Sequence, residues 1–72
     1  MKANLQAKPV KFDSEETGLL NLIGESGEIS LSQLYKKSQL RKNKIDYLLT
    51  CFLCWELIKI VYSENKTLFL LN

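Results

Sequence analysis

The chain has 72 residues and a formal net charge of +2, and this length allows one small domain. Hydrophobic residues make up 46% and charged residues 25% of the sequence, a composition that excludes disorder throughout. The longest uncharged stretch is residues 47–55, far short of the roughly 20 residues that a membrane-spanning helix needs. Residues 1–12 contain three lysines and no apolar run, so we expect no secretory signal and a cytoplasmic protein.

Residue types that carry catalysis or bind metals are scarce. The sequence contains no histidine, which is the commonest general acid or base near neutral pH and the commonest zinc ligand. Cys51 and Cys54 form a CxxC pair inside an apolar segment, where burial favours the neutral thiol. We interpret both as small hydrophobic residues in a reducing compartment, with an intermolecular disulfide or a metal shared in a dimer as alternatives. We expect no enzymatic activity, no metal and no cofactor.

Charge is distributed unevenly along the chain. Residues 13–28 carry five acids and no base, whereas residues 36–44 carry five of the ten basic residues and no acid. A run of this kind is often an ordinary solvated face, so its meaning depends on where it lies in the fold.

The first helix follows a lead-in without periodicity. Residues 1–11 are predicted to be a flexible arm, and residues 12–72 the folded domain. Asp13 and Glu16 have the spacing of a capping box at the start of a helix. We expect Gly24 to end this helix.

The second helix has the best-marked start in the chain. Ser30 and Gln33 form another capping box, after a very short strand at residues 28–29, and we expect this helix to end near Lys37. A turn around Leu40 leads to a third helix from residue 41 or 42 to residue 55. Its inner face repeats at steps of three and four residues: Ile45, Leu48, Leu49 and Phe52.

Beyond the third helix the periodicity changes to that of strands. Residues 57–62 are rich in β-branched and aromatic side chains and predict a strand. Residues 63–66 are polar and predict a four-residue turn, after which residues 67–71 return as a second strand.

This order of elements resembles the winged helix-turn-helix domain of small prokaryotic, archaeal, viral or plasmid transcriptional regulators. Their pattern of capping and apolar positions is matched, at the same spacings, by Ile29, Ser30, Leu34, Leu40, Ile45, Leu49, Phe52, Leu57 and Ile58. Tyr35 replaces the usual alanine, Gln39 a common glycine, and Glu56 the glycine that usually precedes the first wing strand. The resemblance covers residues 13–71 and implies an α+β fold with three helices and a C-terminal two-stranded hairpin, the wing.

The resemblance also implies a function. In this fold the third helix enters the major groove of DNA and the second crosses the backbone, and the basic run lies at those two places. We therefore predict a sequence-specific regulator of transcription that binds double-stranded DNA. The alternatives are a protein–protein interaction module of a larger complex, or RNA binding.

Individual roles follow from the same placement. Phosphate contacts are expected from Lys36, Lys37 and Lys42. Base contacts are expected from Arg41 or Lys44 with guanine and from Asn43 with adenine. Further DNA contacts are expected from Tyr47 and, at the tip of the wing, Asn65 and Lys66, although all three residue types are also common on ordinary surfaces.

The C-terminal half of the third helix is apolar on all sides, which normally means burial on every side. We predict a homodimer whose interface includes Cys51, Leu53, Cys54 and Trp55. The alternative is that the arm, through Leu5, Val10 and Phe12, covers this face together with the wing strands of the same chain.

Overall fold

The computed structural model describes residues 8–72. It contains three helices and three strands in the order α1 (Ser14–Ser26), β1 (Ile29–Ser30), α2 (Leu31–Lys37), α3 (Lys42–Cys54), β2 (Ile58–Ser63) and β3 (Lys66–Leu71). The order agrees with the sequence-based prediction. Most of the predicted arm, including Leu5, lies outside the described residues, so its flexibility remains a prediction.

The start of α1 is confirmed and its end is not where the sequence predicted. The Asp13 carboxylate accepts the Glu16 N–H at 2.8 Å, and the Glu16 carboxylate accepts the Asp13 N–H at 2.9 Å. The prediction that Gly24 ends the helix was wrong, because α1 continues to Ser26 and is capped by Gly27 at φ 77°. A β-carbon at Gly24 would lie 2.8 Å from Leu71 Cδ1. Gly24 is therefore suited to close packing against β3.

The start of α2 is confirmed, whereas α3 begins without a side-chain cap. Ser30 and Gln33 exchange two hydrogen bonds of 3.3 Å across the first turn of α2. A short turn follows, in which the Ser38 hydroxyl accepts the N–H of Leu40 at 3.1 Å. Arg41 occupies the N-cap position of α3, with no hydrogen bond from its side chain to the first turn.

The end of α3 directs the chain into the wing. Glu56 has φ 62°, the left-handed conformation that favours glycine. The N–H of Leu57 donates to the Phe52 carbonyl at 2.8 Å, and the N–H of Glu56 donates to the Leu53 carbonyl at 3.0 Å. These two bonds form a Schellman motif, so Glu56 performs the role of the glycine that it replaces.

The sheet has the order β1-β3-β2 and is antiparallel throughout. The predicted four-residue turn was wrong in length, because Ser63 and Lys66 pair with each other as strand residues. Only Glu64 and Asn65 form the loop, with φ 50° and 67°. Two successive positive φ values are those of a type I′ turn, whose twist matches that of the strands.

The core lies between the three helices and one face of the sheet. The predicted inner face of α3 is confirmed, since all four of its residues are buried. The other buried hydrophobic residues of the core cluster are Leu19, Ile23, Ile29, Leu34, Ile58 and Phe69. Burial of this face of α3 leaves its opposite face, with Asn43 and Tyr47, towards solvent.

Candidate nucleic-acid interface

The basic run lies at the end of α2 and the start of α3. Lys36 and Lys37 are exposed in the last turn of α2. Arg41, Lys42 and Asn43 are exposed at and just after the N-cap of α3. The structure therefore brings the predicted phosphate-contacting and base-contacting residues to adjacent ends of two packed helices.

The start of α3 is electrostatically unfavourable for the free protein. The helix dipole places partial positive charge at this end, and the basic side chains of Arg41, Lys42 and Lys44 add to it. Both α1 and α2 have capping boxes, whereas α3 has no side-chain cap. An anion bound at this position would remove both deficits.

Tyr35 connects the two helices across the site. Its hydroxyl on α2 donates a 2.6 Å hydrogen bond to Asp46 Oδ1 on α3. The Lys42 ammonium lies 5.3 Å from the centre of the Tyr35 ring, within the range of a cation–π contact. The hydrogen bond to Asp46 is the main cause that raises the pKa of Tyr35 above its ordinary value of 10.0.

No role for Asp46 was predicted from the sequence. This acid lies within residues 36–47, among the bases of the expected interface. The spacing of Lys42 and Asp46, four residues apart on one helix, would have indicated that the two side chains share a face. No local spacing indicated that Asp46 would also accept a hydrogen bond from Tyr35 on α2.

Lys44, unlike the other bases of the expected interface, is held in an ion pair. Its Nζ lies 3.4 Å from Glu15 Oε1 in the first turn of α1, and both side chains are about half exposed, 42% for Lys44 and 49% for Glu15. Among the predicted interface residues, Lys44 is thus held by an acid of the neighbouring helix.

Tyr47 lies one turn along the outer face of α3 and is 42% exposed. A hydrogen bond with the Cys51 thiol is the main cause that raises the pKa of Tyr47. The exposed part of the phenol can act as a hydrogen-bonding group. An open groove beside it is lined by Glu15, Gln39, Leu40, Arg41, Asn43, Lys44 and Tyr47.

The wing tip carries exposed polar residues, as predicted. Asn65 and Lys66 lie at the end of the hairpin remote from the core. Asn65 also has a conformational role, because asparagine tolerates the left-handed conformation that the turn requires. Tyr62, which the sequence analysis did not single out, is 78% exposed near this tip. Its alternation with Ile58 and Ile60 places it on the core-facing side of the strand, beyond the end of the core.

The four residues of the predicted dimer interface differ in exposure. Cys51 is buried within the single chain at 1% exposure, Leu53 and Trp55 are half-buried, and Cys54 is exposed. The Trp55 ring lies 6.3 Å from that of Phe12 and 6.1 Å from that of Phe52, measured between ring centres. Phe12 therefore covers part of this face from within the chain, whereas the expectation that Val10 helps to cover it was wrong, because Val10 is fully exposed. The dimer itself stays a prediction.

Two findings concern other classes of site. Within residues 8–72, no three side chains of the metal-binding types come together as a group that could hold an ion. The helices of this same region are all too short or too polar to cross a membrane.

Comparison with known proteins identifies the fold. No protein-family model matches the sequence, and no curated protein is significantly similar to it. A solved structure of Bordetella bronchiseptica BpsR, a protein whose DNA binding is regulated by 6-hydroxynicotinic acid, superposes with a TM-score of 0.73 at 15% identity. The match covers 83% of this chain and 44% of BpsR, so the chain spans less than half the length of that protein. With its three helices and C-terminal hairpin, the chain has the winged helix-turn-helix fold.

Proposed function

We propose that the protein binds double-stranded DNA sequence-specifically and acts as a transcriptional regulator. The observation that carries this proposal is the cluster of exposed bases at the end of α2 and the start of α3. In the winged helix-turn-helix fold these are the positions that cross the DNA backbone and enter the major groove.

Part of this arrangement is unfavourable in the free protein. Bases at the start of α3 oppose the helix dipole, and the helix lacks a side-chain cap. A winged helix used only for protein contacts would need neither feature, so the charge on α3 favours DNA. BpsR, which shares the fold, is a protein whose DNA binding is regulated.

We assign the roles within the interface as follows. Phosphates are bound by Lys36, Lys37 and Lys42, with Lys42 oriented by the Tyr35 ring. Asn43 reads an adenine edge, and Arg41 rather than Lys44 reads guanine, because Lys44 is paired with Glu15. Lesser contacts, to backbone or groove edges, come from Tyr47, Asn65 and Lys66.

The dimer and the location are also part of the proposal. A homodimer would present two recognition helices to half-sites one helical turn apart. Exposed Cys54 and half-buried Leu53 and Trp55 offer a surface for it, whereas Cys51 is buried within the single chain and supplies no contact to a second copy. A DNA-binding regulator works inside the cell, in the cytoplasm. Light scattering with reductant present should give twice the mass of 8.3 kDa, and a monomeric mass at tens of micromolar would contradict the dimer.

The test of DNA binding is a salt series with a mixed-sequence duplex. Binding measured by fluorescence anisotropy should weaken linearly in log salt, with a slope of about −0.9 per neutralised phosphate. Lys36→Gln should flatten the slope by about 0.9. The matched control is Lys59→Gln, an exposed lysine opposite Leu70 near the base of the wing, which makes the same charge change.

Three outcomes would count against the proposal. Absence of binding to any duplex would contradict it, as would an equal loss for Lys36→Gln and Lys59→Gln. Tighter binding to an A-form RNA duplex of the same sequence would favour the RNA alternative.

A further inference from the structure

We propose that Glu15 is a positioning residue that withholds Lys44 from the DNA backbone and thereby limits the affinity of the interface for DNA of any sequence. The inference rests on the proposed function. It assigns a role in DNA binding to an acid on α1, a helix that supplies none of the predicted DNA contacts.

The geometry places Glu15 against the start of the recognition helix. Its Oε1 lies 3.4 Å from Lys44 Nζ, and within residues 8–72 this is the one lysine or arginine paired with a carboxylate within 4 Å. Glu15 also lines the groove that contains Arg41, Asn43 and Tyr47. Its negative charge therefore lies beside the surface that is proposed to face phosphates.

The capping of α1 does not require Glu15. Asp13 and Glu16 already satisfy each other's backbone N–H groups at the start of this helix. Glu15 gains from the helix dipole as any acid in the first turn would, but that gain does not depend on Lys44. The orientation of its carboxylate towards α3 is thus a separate feature of the structure.

The physical consequence is a competition for one ammonium group. A phosphate that contacts Lys44 must displace Glu15 or share the ammonium with it, and the Glu15 carboxylate repels that same phosphate. Both effects are independent of base sequence, because every duplex presents the same backbone. Removing the Glu15 charge should therefore add about one phosphate contact to the interface.

The test is a double-mutant cycle measured by the salt dependence of binding to a mixed-sequence duplex. Glu15→Gln should steepen the slope by about 0.9 and tighten binding by up to about tenfold at about 0.1 M salt. Lys44→Gln alone should leave the slope close to that of the wild type, because Lys44 makes no phosphate contact in the wild-type complex. The double variant Glu15→Gln/Lys44→Gln should return to the wild-type slope.

The control variant is Glu56→Gln, which makes the same change of net charge at the other end of α3. It lies twelve residues from Lys44, about 18 Å along a helix, and should change the slope little. Equal effects of Glu15→Gln and Glu56→Gln would overturn the inference and leave the proposed function standing. A gain in Glu15→Gln that persists in the double variant would also overturn it. If the wild type binds no duplex, both proposals fail together.

Discussion

The hydroxyl of Tyr35 on α2 lies 2.6 Å from Asp46 Oδ1 on α3, and the ring of the same tyrosine lies beneath the Lys42 ammonium. One side chain thus links the two helices and lies against a base at the start of α3. The alanine that the resemblance implies for this position could make no such hydrogen bond, so the tyrosine adds a directional contact between the two helices.

We expect this hydrogen bond to make stability depend on alkaline pH. Asp46 raises the pKa of Tyr35 above its ordinary value of 10.0, so the folded state keeps a proton that the unfolded state loses first. The stabilising contribution is complete below pH 10 and is lost as the pH rises through the pKa of the folded state. Urea denaturation from about pH 9 to about pH 11 should show a smaller loss of stability in Tyr35→Phe than in the wild type. Tyr62→Phe, at an exposed ring, should behave like the wild type, and identical pH profiles of all three proteins would contradict the prediction.

Glu56→Gly should stabilise the domain. The left-handed φ of 62° at this position strains any residue with a β-carbon, and glycine removes the strain at a smaller cost in unfolded-state entropy. We expect a gain of about 1 kcal/mol in the free energy of unfolding, measured by chemical denaturation. Glu56→Ala removes the same charge but retains the β-carbon, so it should give no comparable gain. Equal stability of the glycine and alanine variants would show that position 56 is not strained.

Arg41→Ser should change stability and DNA binding in opposite directions. Arg41 has the extended backbone of an N-cap, φ −70° and ψ 154°, and a serine there can accept an N–H of the first turn. We expect the free energy of unfolding to rise by about 1 kcal/mol, since α3 gains its missing cap. DNA affinity should fall because a base is lost from the start of the recognition helix. Arg41→Ala, which supplies no cap, should lose affinity without gaining stability, and a gain of affinity in Arg41→Ser would contradict the proposed interface.

Asn43→Ala should affect sequence preference more than general affinity. A bidentate contact between asparagine and adenine contributes about 1–3 kcal/mol of discrimination and little to binding of arbitrary DNA. Selection from a random duplex pool should therefore yield a consensus that is relaxed at one position, while affinity for the mixed-sequence duplex changes little. An equal loss on selected and random DNA would reassign Asn43 to backbone contact.

Local features of the sequence predicted much of this fold. The capping boxes at Asp13 and Ser30 and the inner face of α3 depend on neighbours within four residues, so the sequence alone could locate them. The end of α1 depends on distant packing, since Gly24 faces Leu71 of the last strand. The length of the turn depends on backbone angles at Glu64, a residue type not associated with positive φ.

Only part of the candidate site, likewise, could be predicted from the sequence. The basic run and its place in the fold were predictable, because they follow from composition and element order. The Tyr35–Asp46 hydrogen bond and the Lys44–Glu15 ion pair join different helices, so no sequence spacing indicated them. These contacts between elements determine which bases are oriented and which are restrained.

We propose that residues 36–47, together with the wing tip at residues 64–66, form the surface that binds DNA. Backbone amide chemical shifts of isotope-labelled protein, recorded by NMR as duplex DNA is added, test it most directly. We expect the largest changes at residues 36–47 and 64–66, and we expect them to disappear at high salt. Changes concentrated at residues 51–55, or no changes upon addition of any duplex, would contradict it.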